Sequence, residues 1–196
     1  MNDSRTIAGT YLDGNFVAHG FIRAADGTFT TFDPTGSIDT EADGINANGD
    51  VTGYYADSSG VNHGFVRTAD GTITSFDVTG TTQTFPFGIN RKGAIAGFYV
   101  NGGTVSGFVR SAGGKIKTFD PAGSGATEAY AINSVGTITG FYEKNALHGF
   151  VRSANGTITS FDPKNSTDTE PFGINDSGAT TGFYNDGSYH GFIRTP

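Results

Sequence analysis

Short runs rich in Thr, Ile, Val and Phe, mostly apolar or small rather than strictly alternating, are separated along this chain by tight Gly-containing turns. Runs of that kind suit pleated strands buried on both faces, and here they recur with one period. The triplet His-Gly-Phe stands at His19-Gly20-Phe21, His63-Gly64-Phe65, His148-Gly149-Phe150 and His190-Gly191-Phe192, and a fifth copy reads Ser106-Gly107-Phe108. The five Phe are 44, 43, 42 and 42 residues apart. An Ile-Asn-x-x-Gly element places its Asn at Asn46, Asn90, Asn133 and Asn175, with Met1-Asn2 as a trimmed first copy. Phe-Asp-Pro begins at Phe32, Phe119 and Phe161, with Phe76-Asp77-Val78 as a variant. Several independent marks keeping one period identify a repeat protein.

Each repeat resolves into four strands. The first ends in Gly-x-Tyr, the second carries His-Gly-Phe-x-Arg, the third reads Thr-Ile-Thr-Ser-Phe-Asp and the fourth ends in Gly-Ile-Asn. Asp26-Gly27, Asp70-Gly71 and Asn155-Gly156 read as two-residue hairpin turns, and Asn-x-x-Gly reads as a type I turn. Four strands in a period near 43 describe a β-propeller blade. The expectation is one all-β propeller domain over 1–196, four full blades plus a half repeat, four- or five-bladed. Its repeats run about 2–45, 46–89, 90–132, 133–174 and 175–196. The Gly beside each Phe is expected to let neighbouring sheets approach. Only the Tyr-to-His interval varies, running 8, 8, 7, 6 and 6, which puts all length variation in one rim loop. Five copies of the first two strands and four of the last two leave Thr6–Tyr11 and Tyr189–Arg194 over. These two segments either pair as a thin fifth blade or remain exposed strands that add to another chain.

Composition narrows the function classes. The 196 residues include 31 Gly, 27 Thr and 17 Phe but 2 Leu, which all but excludes a helical fold. A net charge of −7 argues against nucleic acid and anionic membranes as partners. The lack of Cys removes disulfides, thiolate nucleophiles and Cys-ligated metals. Met1 to Ala8 carry no apolar signal-peptide core, and no segment approaches the roughly 18 apolar residues of a membrane span.

The triplet recurring with Phe-Asp-Pro and Gly-Ile-Asn-x-x-Gly resembles, over essentially the whole chain, the bacterial extracellular repeats named for their His-Ala-Phe motif. That resemblance implies a propeller-like fold and an extracellular or cell-surface location, and it brings no activity, cofactor or catalytic residue with it. The middle letter here is Gly throughout, and Ser106 replaces one His.

The candidate chemistry is repetitive. His19, His63, His148 and His190 occupy one repeat position, so a structural role is expected rather than catalysis or metal binding. Arg23, Arg67, Arg110 and Arg152 each precede an Asp by 10 residues across a turn, at Asp33, Asp77, Asp120 and Asp162. A recurring ion pair that fixes strand register is the expectation, and it leaves Arg194 without a downstream partner. Ahead of each Gly-Ile-Asn, aromatic and acidic residues recur: Glu41, Phe87, Glu128, Tyr130, Glu170 and Phe172. Aromatic faces and carboxylates on one face of a ring could hold a sugar. No catalytic group stands outside the repeat and no nucleotide or metal motif is present, so no enzyme and no cofactor is expected. The leading expectation is a non-enzymatic extracellular scaffold module that self-associates into oligomers or fibres through Thr6, Ile7, Tyr11, Tyr189, His190, Phe192 and Arg194. The alternative is a lectin-like propeller.

Overall fold

The computed structural model describes residues 1–196, which form eighteen strands and no helix. Antiparallel pairing sorts the strands into five sheets in chain order. The first holds β1 (Ile7–Leu12), β2 (Ala18–Arg23) and β3 (Phe29–Phe32). The second is β4 (Ser37–Ile45), β5 (Val51–Asp57), β6 (Asn62–Arg67) and β7 (Ile73–Phe76). The third is β8 (Gln83–Ile89), β9 (Ile95–Asn101), β10 (Thr104–Arg110) and β11 (Ile116–Phe119). The fourth is β12 (Ala126–Ile132), β13 (Ile138–Glu143), β14 (Leu147–Arg152) and β15 (Ile158–Phe161). The last holds β16 (Asp168–Ile174), β17 (Thr180–Asn185) and β18 (Tyr189–Arg194). Single parallel bridges, Val105 to Ala126 and Leu147 to Asp168, tie the last three sheets together.

The architecture is therefore all-β and propeller-like, but its sheets are out of phase with the sequence repeat. The Asn-x-x-Gly turn is a true hairpin, with the Gly49 N–H donating to the Asn46 carbonyl, so the fourth strand of each repeat pairs forward and opens the next sheet. As a result β1 and β18 lie in different sheets at opposite ends of the row, which corrects the thin fifth blade. Neighbouring sheets pack face to face, and no contact of comparable extent joins the first sheet to the last.

The core sits between the sheets. Phe65, Phe108 and Phe150 are fully buried, each meeting edge-on a Phe of the preceding sheet: Phe32 at 5.8 Å, Phe76 at 6.2 Å and Phe119 at 5.9 Å between centroids. Two local expectations need correction. The second-to-third-strand connections are three-residue loops rather than two-residue turns. Ala24 accepts from the Gly27 N–H and donates to Thr28, and Gly27 sits at φ +93° as the left-handed residue such loops require. The Gly of His-Gly-Phe serves its own sheet. A Cβ on Gly64 would lie 2.9 Å from the Phe76 ring across the ladder. Sheets approach most closely instead at Gly44 and Gly88 of Gly-Ile-Asn, where a Cβ would run into backbone of the next sheet.

Candidate functional site

Strands β4, β8, β12 and β16 share a β-bulge at the same repeat position, and β4 has a second irregularity at Ile38. The ladder skips one residue between Ala42 and Gly44, Pro86 and Gly88, Ala129 and Ala131, and Pro171 and Gly173. The skipped residues are Asp43, Phe87, Tyr130 and Phe172. A bulge leaves its extra residue unpaired and re-aims the side chain. The Gly of Gly-x-Tyr makes room for it, because a Cβ on Gly53, Gly97, Gly140 or Gly182 would overlap the carbonyl of Glu41, Phe85, Glu128 or Glu170.

The bulges gather an aromatic arc. Phe87 and Phe172 each lie 4.8 Å from Tyr130 between centroids. Tyr54 joins through Phe85 at 5.0 Å. Carboxylates accompany the rings, and the Tyr130 hydroxyl donates to Glu128 Oε2 at 2.6 Å. Burial, then that hydrogen bond, pushes the Tyr130 phenol well above its ordinary range. Asp43 is reachable by water yet surrounded by protein, and burial together with the neighbouring Glu41 raises its carboxyl to about 7. Burial, with the Asp43 and Glu41 charges, pushes Tyr54 up to about 12. Glu170 is raised by burial and by Asp168 and Glu128. Of the six residues expected here from sequence, Phe87, Tyr130, Phe172, Glu128 and Glu170 form one group. Glu41 stands at the Tyr54 end of the arc, beside Asp43. The rings spend much of their faces on one another, and Phe172 is the most exposed.

Farther along the same strands, Asn side chains link sheet to sheet. The Nδ2 groups of Asn2, Asn46, Asn90 and Asn133 donate to the carbonyls of Asn46, Asn90, Asn133 and Asn175 at 3.0–3.1 Å. Each Oδ1 meanwhile accepts backbone N–H groups of its own turn, as Asn90 does from Lys92 and Ala94. These residues line a funnel of about 670 Å³. Sequence reading took the repeated Asn as turn chemistry alone. Its inter-sheet amide was invisible without the packing.

The rim separates the expected Arg–Asp pairs. Register sets Asp77 beside His63 and Arg67 opposite Ile73. Arg67 therefore stands four rungs away from that carboxylate, roughly 13 Å along a strand. His19, His63 and His148 donate through Nδ1 to Asp33, Asp77 and Asp162 at 2.7–2.8 Å. Ser106 offers no ring to Asp120. The Arg side chains lie instead over Phe rings of the preceding sheet: Arg67 over Phe32, Arg110 over Phe76, Arg152 over Phe119 and Arg194 over Phe161, at 4.6–5.1 Å. Arg23, with no sheet before it, lies 5.9 Å from Phe29 of its own sheet. Burial lowers the Arg110 and Arg152 pKa values. The constant 14-residue step from His to Asp was the overlooked signal. No three His, Asp or Glu side chains converge as metal ligands would.

The terminal residues divide between the two ends. Thr6 precedes β1 and donates its N–H to Asn2 Oδ1, Ile7 faces Arg23 in the ladder, and Tyr11 is exposed beside His19. In β18, Tyr189 is 75% and Ile193 80% exposed. His190 stacks on Tyr184 at 5.1 Å and reaches Asp186 through Nε2. Phe192 and Arg194 are turned back against Phe161.

No protein-family model matches the chain, and no curated protein sequence matches it. Solved structures do. TolB from Acinetobacter baumannii superimposes with a TM-score of 0.70 at 14% identity over 98% of this chain and 49% of its own. Virginiamycin B lyase from Staphylococcus aureus gives 0.54 at 16% identity over 97% of this chain and 71% of its own. A streptogramin B lyase gives 0.54 at 16% over 98% and 70%. The chain thus spans about half the length of TolB, and at these identities the likeness is one of fold. The likeness nevertheless overturns the expectation that the chain is no enzyme. A lyase is built on this fold, so the lack of a catalytic group outside the repeat excludes nothing.

Proposed function

We propose that this chain is an extracellular repeat module that self-associates through its terminal strands into oligomers or fibres. One observation carries the reading: the end sheets have three strands where the three between them have four. The free edge of β1 is the side on which β4 pairs with β5 in the next sheet. The free edge of β18 is the side on which β7 pairs with β6. Unpaired strand edges are templates for addition. In this mechanism Thr6–Tyr11 of one copy lies along Tyr189–Arg194 of another, giving a continuous six-stranded sheet. Light scattering after size exclusion is expected to show species heavier than the 20.4 kDa chain. A strict monomer in which both segments resist hydrogen exchange overturns the proposal. The resemblance to His-Ala-Phe repeats supports the extracellular assignment. No helix is long and apolar enough to cross a membrane.

A second reading, carbohydrate binding, has its own support in the four bulges that aim Asp43, Phe87, Tyr130 and Phe172 out of the ladder. Its test is a glycan array with Phe87→Ala and Tyr130→Ala. Hits that disappear in both variants support it, and hits unchanged by them count against it.

A further inference from the structure

The repeat symmetry breaks where positive charge collects. The third repeat, 90–132, holds Arg91, Lys92, Arg110, Lys115 and Lys117, five of the chain's 12 Lys and Arg, against only Asp120 and Glu128, in a chain of net charge −7. Lys115 and Lys117 are two residues apart and so share one face of an extended segment. The other copies read Thr28 and Thr30, Thr72 and Thr74, and Thr157 and Thr159 at these positions. Both lysines line a cavity of about 260 Å³ between the third and fourth sheets, with Arg152, Ser111, Asn155 and Ala94. Arg152 reaches it from β14, lies over the Phe119 ring and is 9% exposed. Its Nε has no hydrogen-bond partner, and burial lowers its pKa with no carboxylate to offset the cost. No acidic side chain lines the cavity, and every ion pair in the protein joins His to Asp, so all three cations are unpaired. The corresponding cavity between the second and third sheets sets Thr74 in place of Lys117 and Asp50 in place of Ala94, beside Arg110 and Lys92.

We infer that this cavity binds a phosphate monoester. Three cations without a counter-charge favour the most highly charged compact anion. A phosphate monoester carries about −1.5 to −2 charges near pH 7, whereas a sulfate ester or a carboxylate carries one. Its terminal oxygens accept from ammonium and guanidinium donors, the stronger class of hydrogen bond. The guanidinium of Arg152 is held in advance by the Phe119 ring, which reduces the ordering that binding requires. Asn155 Oδ1 is occupied by the Ser153 hydroxyl and the Thr157 N–H, which leaves its Nδ2 to donate to the ligand. Repulsion from the acidic remainder of the chain disfavours long polyanions, so the ligand is a small one. This inference stands apart from both the self-association and the carbohydrate readings.

The test titrates the full chain with methyl phosphate and, separately, methyl sulfate at fixed ionic strength, following backbone amide resonances by NMR. Methyl phosphate is expected to bind saturably, with shifts centred on Lys115, Lys117, Arg152 and Asn155, and methyl sulfate several-fold more weakly. The double variant Lys115→Thr, Lys117→Thr carries the residues of the other three repeats, so it is expected to melt as the parent does. It should bind methyl phosphate about tenfold or more weakly, since two of three charges are gone. Ala94→Asp, which copies Asp50 of the preceding cavity, is expected to weaken binding likewise. Lys144→Thr with Lys164→Thr removes the same charge at exposed positions outside the cavity and should leave binding unchanged. Absence of saturable binding, shifts centred elsewhere, equal affinity for methyl sulfate, or equal losses in the two lysine pairs overturns the inference.

Discussion

At the scale of single residues, the recurring polar side chains are pinned by partners that spacing leaves open. Arg and His both keep a constant distance from the same Asp in sequence, and only the strand register assigns the carboxylate to His. Burial lowers the pKa of His63, but the hydrogen bond it donates to Asp77 and the charges of Asp77 and Asp57 outweigh it and raise the pKa. A raised imidazole contributes stability that is complete below its ordinary value of 6.5 and fades as pH rises through the folded value. His63→Gln is therefore expected to lower the melting temperature more at pH 5.5 than at pH 8.5, as scanning calorimetry would show. Asp43 has the opposite pH profile. Its carboxyl is raised to about 7 by burial and by Glu41, so a penalty builds between 3.8 and that value and is full above it. Asp43→Asn should melt higher than the parent at pH 8 and alike at pH 4. Asn90 is 5% exposed and joins two sheets. Asn90→Asp removes that donor and sets a carboxylate against the Asn133 carbonyl. About 1–3 kcal/mol should be lost, read from the urea midpoint.

At the scale of strands and turns, most of the organisation was legible. The Asn-x-x-Gly turns, the eighteen strands and the constant intervals all follow from turn chemistry and apolar runs, which are local properties. The roles of the glycines were not legible, because each depends on what lies across a ladder. Gly64 clears the Phe76 ring, whereas Gly97 clears the Phe85 carbonyl at a bulge. Gly64→Ala is expected to cost about 1–3 kcal/mol in equilibrium unfolding, since the ring has to leave its seat. The bulges were hidden for the same reason. An extra residue in one strand exists only relative to its partner, so Phe87, Tyr130 and Phe172 were found as a recurring group without the geometry that gathers them.

For the molecule as a whole, the chain is a row of five sheets whose two end sheets have three strands each and do not meet. Blocking the β18 edge is expected to reduce assembly: Ile193→Lys, which places a charge on an exposed edge strand, should lower the mass seen by light scattering. An unchanged mass would locate assembly elsewhere. The sequence by itself determined the repeat, the all-β class, the strand order within each unit and the recurrence of His-Gly-Phe four times with one Ser-Gly-Phe, because periodicity and turn chemistry are written along the chain. Only the tertiary structure decided which strands share a sheet, which base or ring each charged group meets, and that β1 and β18 stand apart. Those outcomes depend on partners from 14 positions away in sequence, across a ladder, to 43 positions away, between sheets, where a register or a packed face, not local propensity, selects the partner.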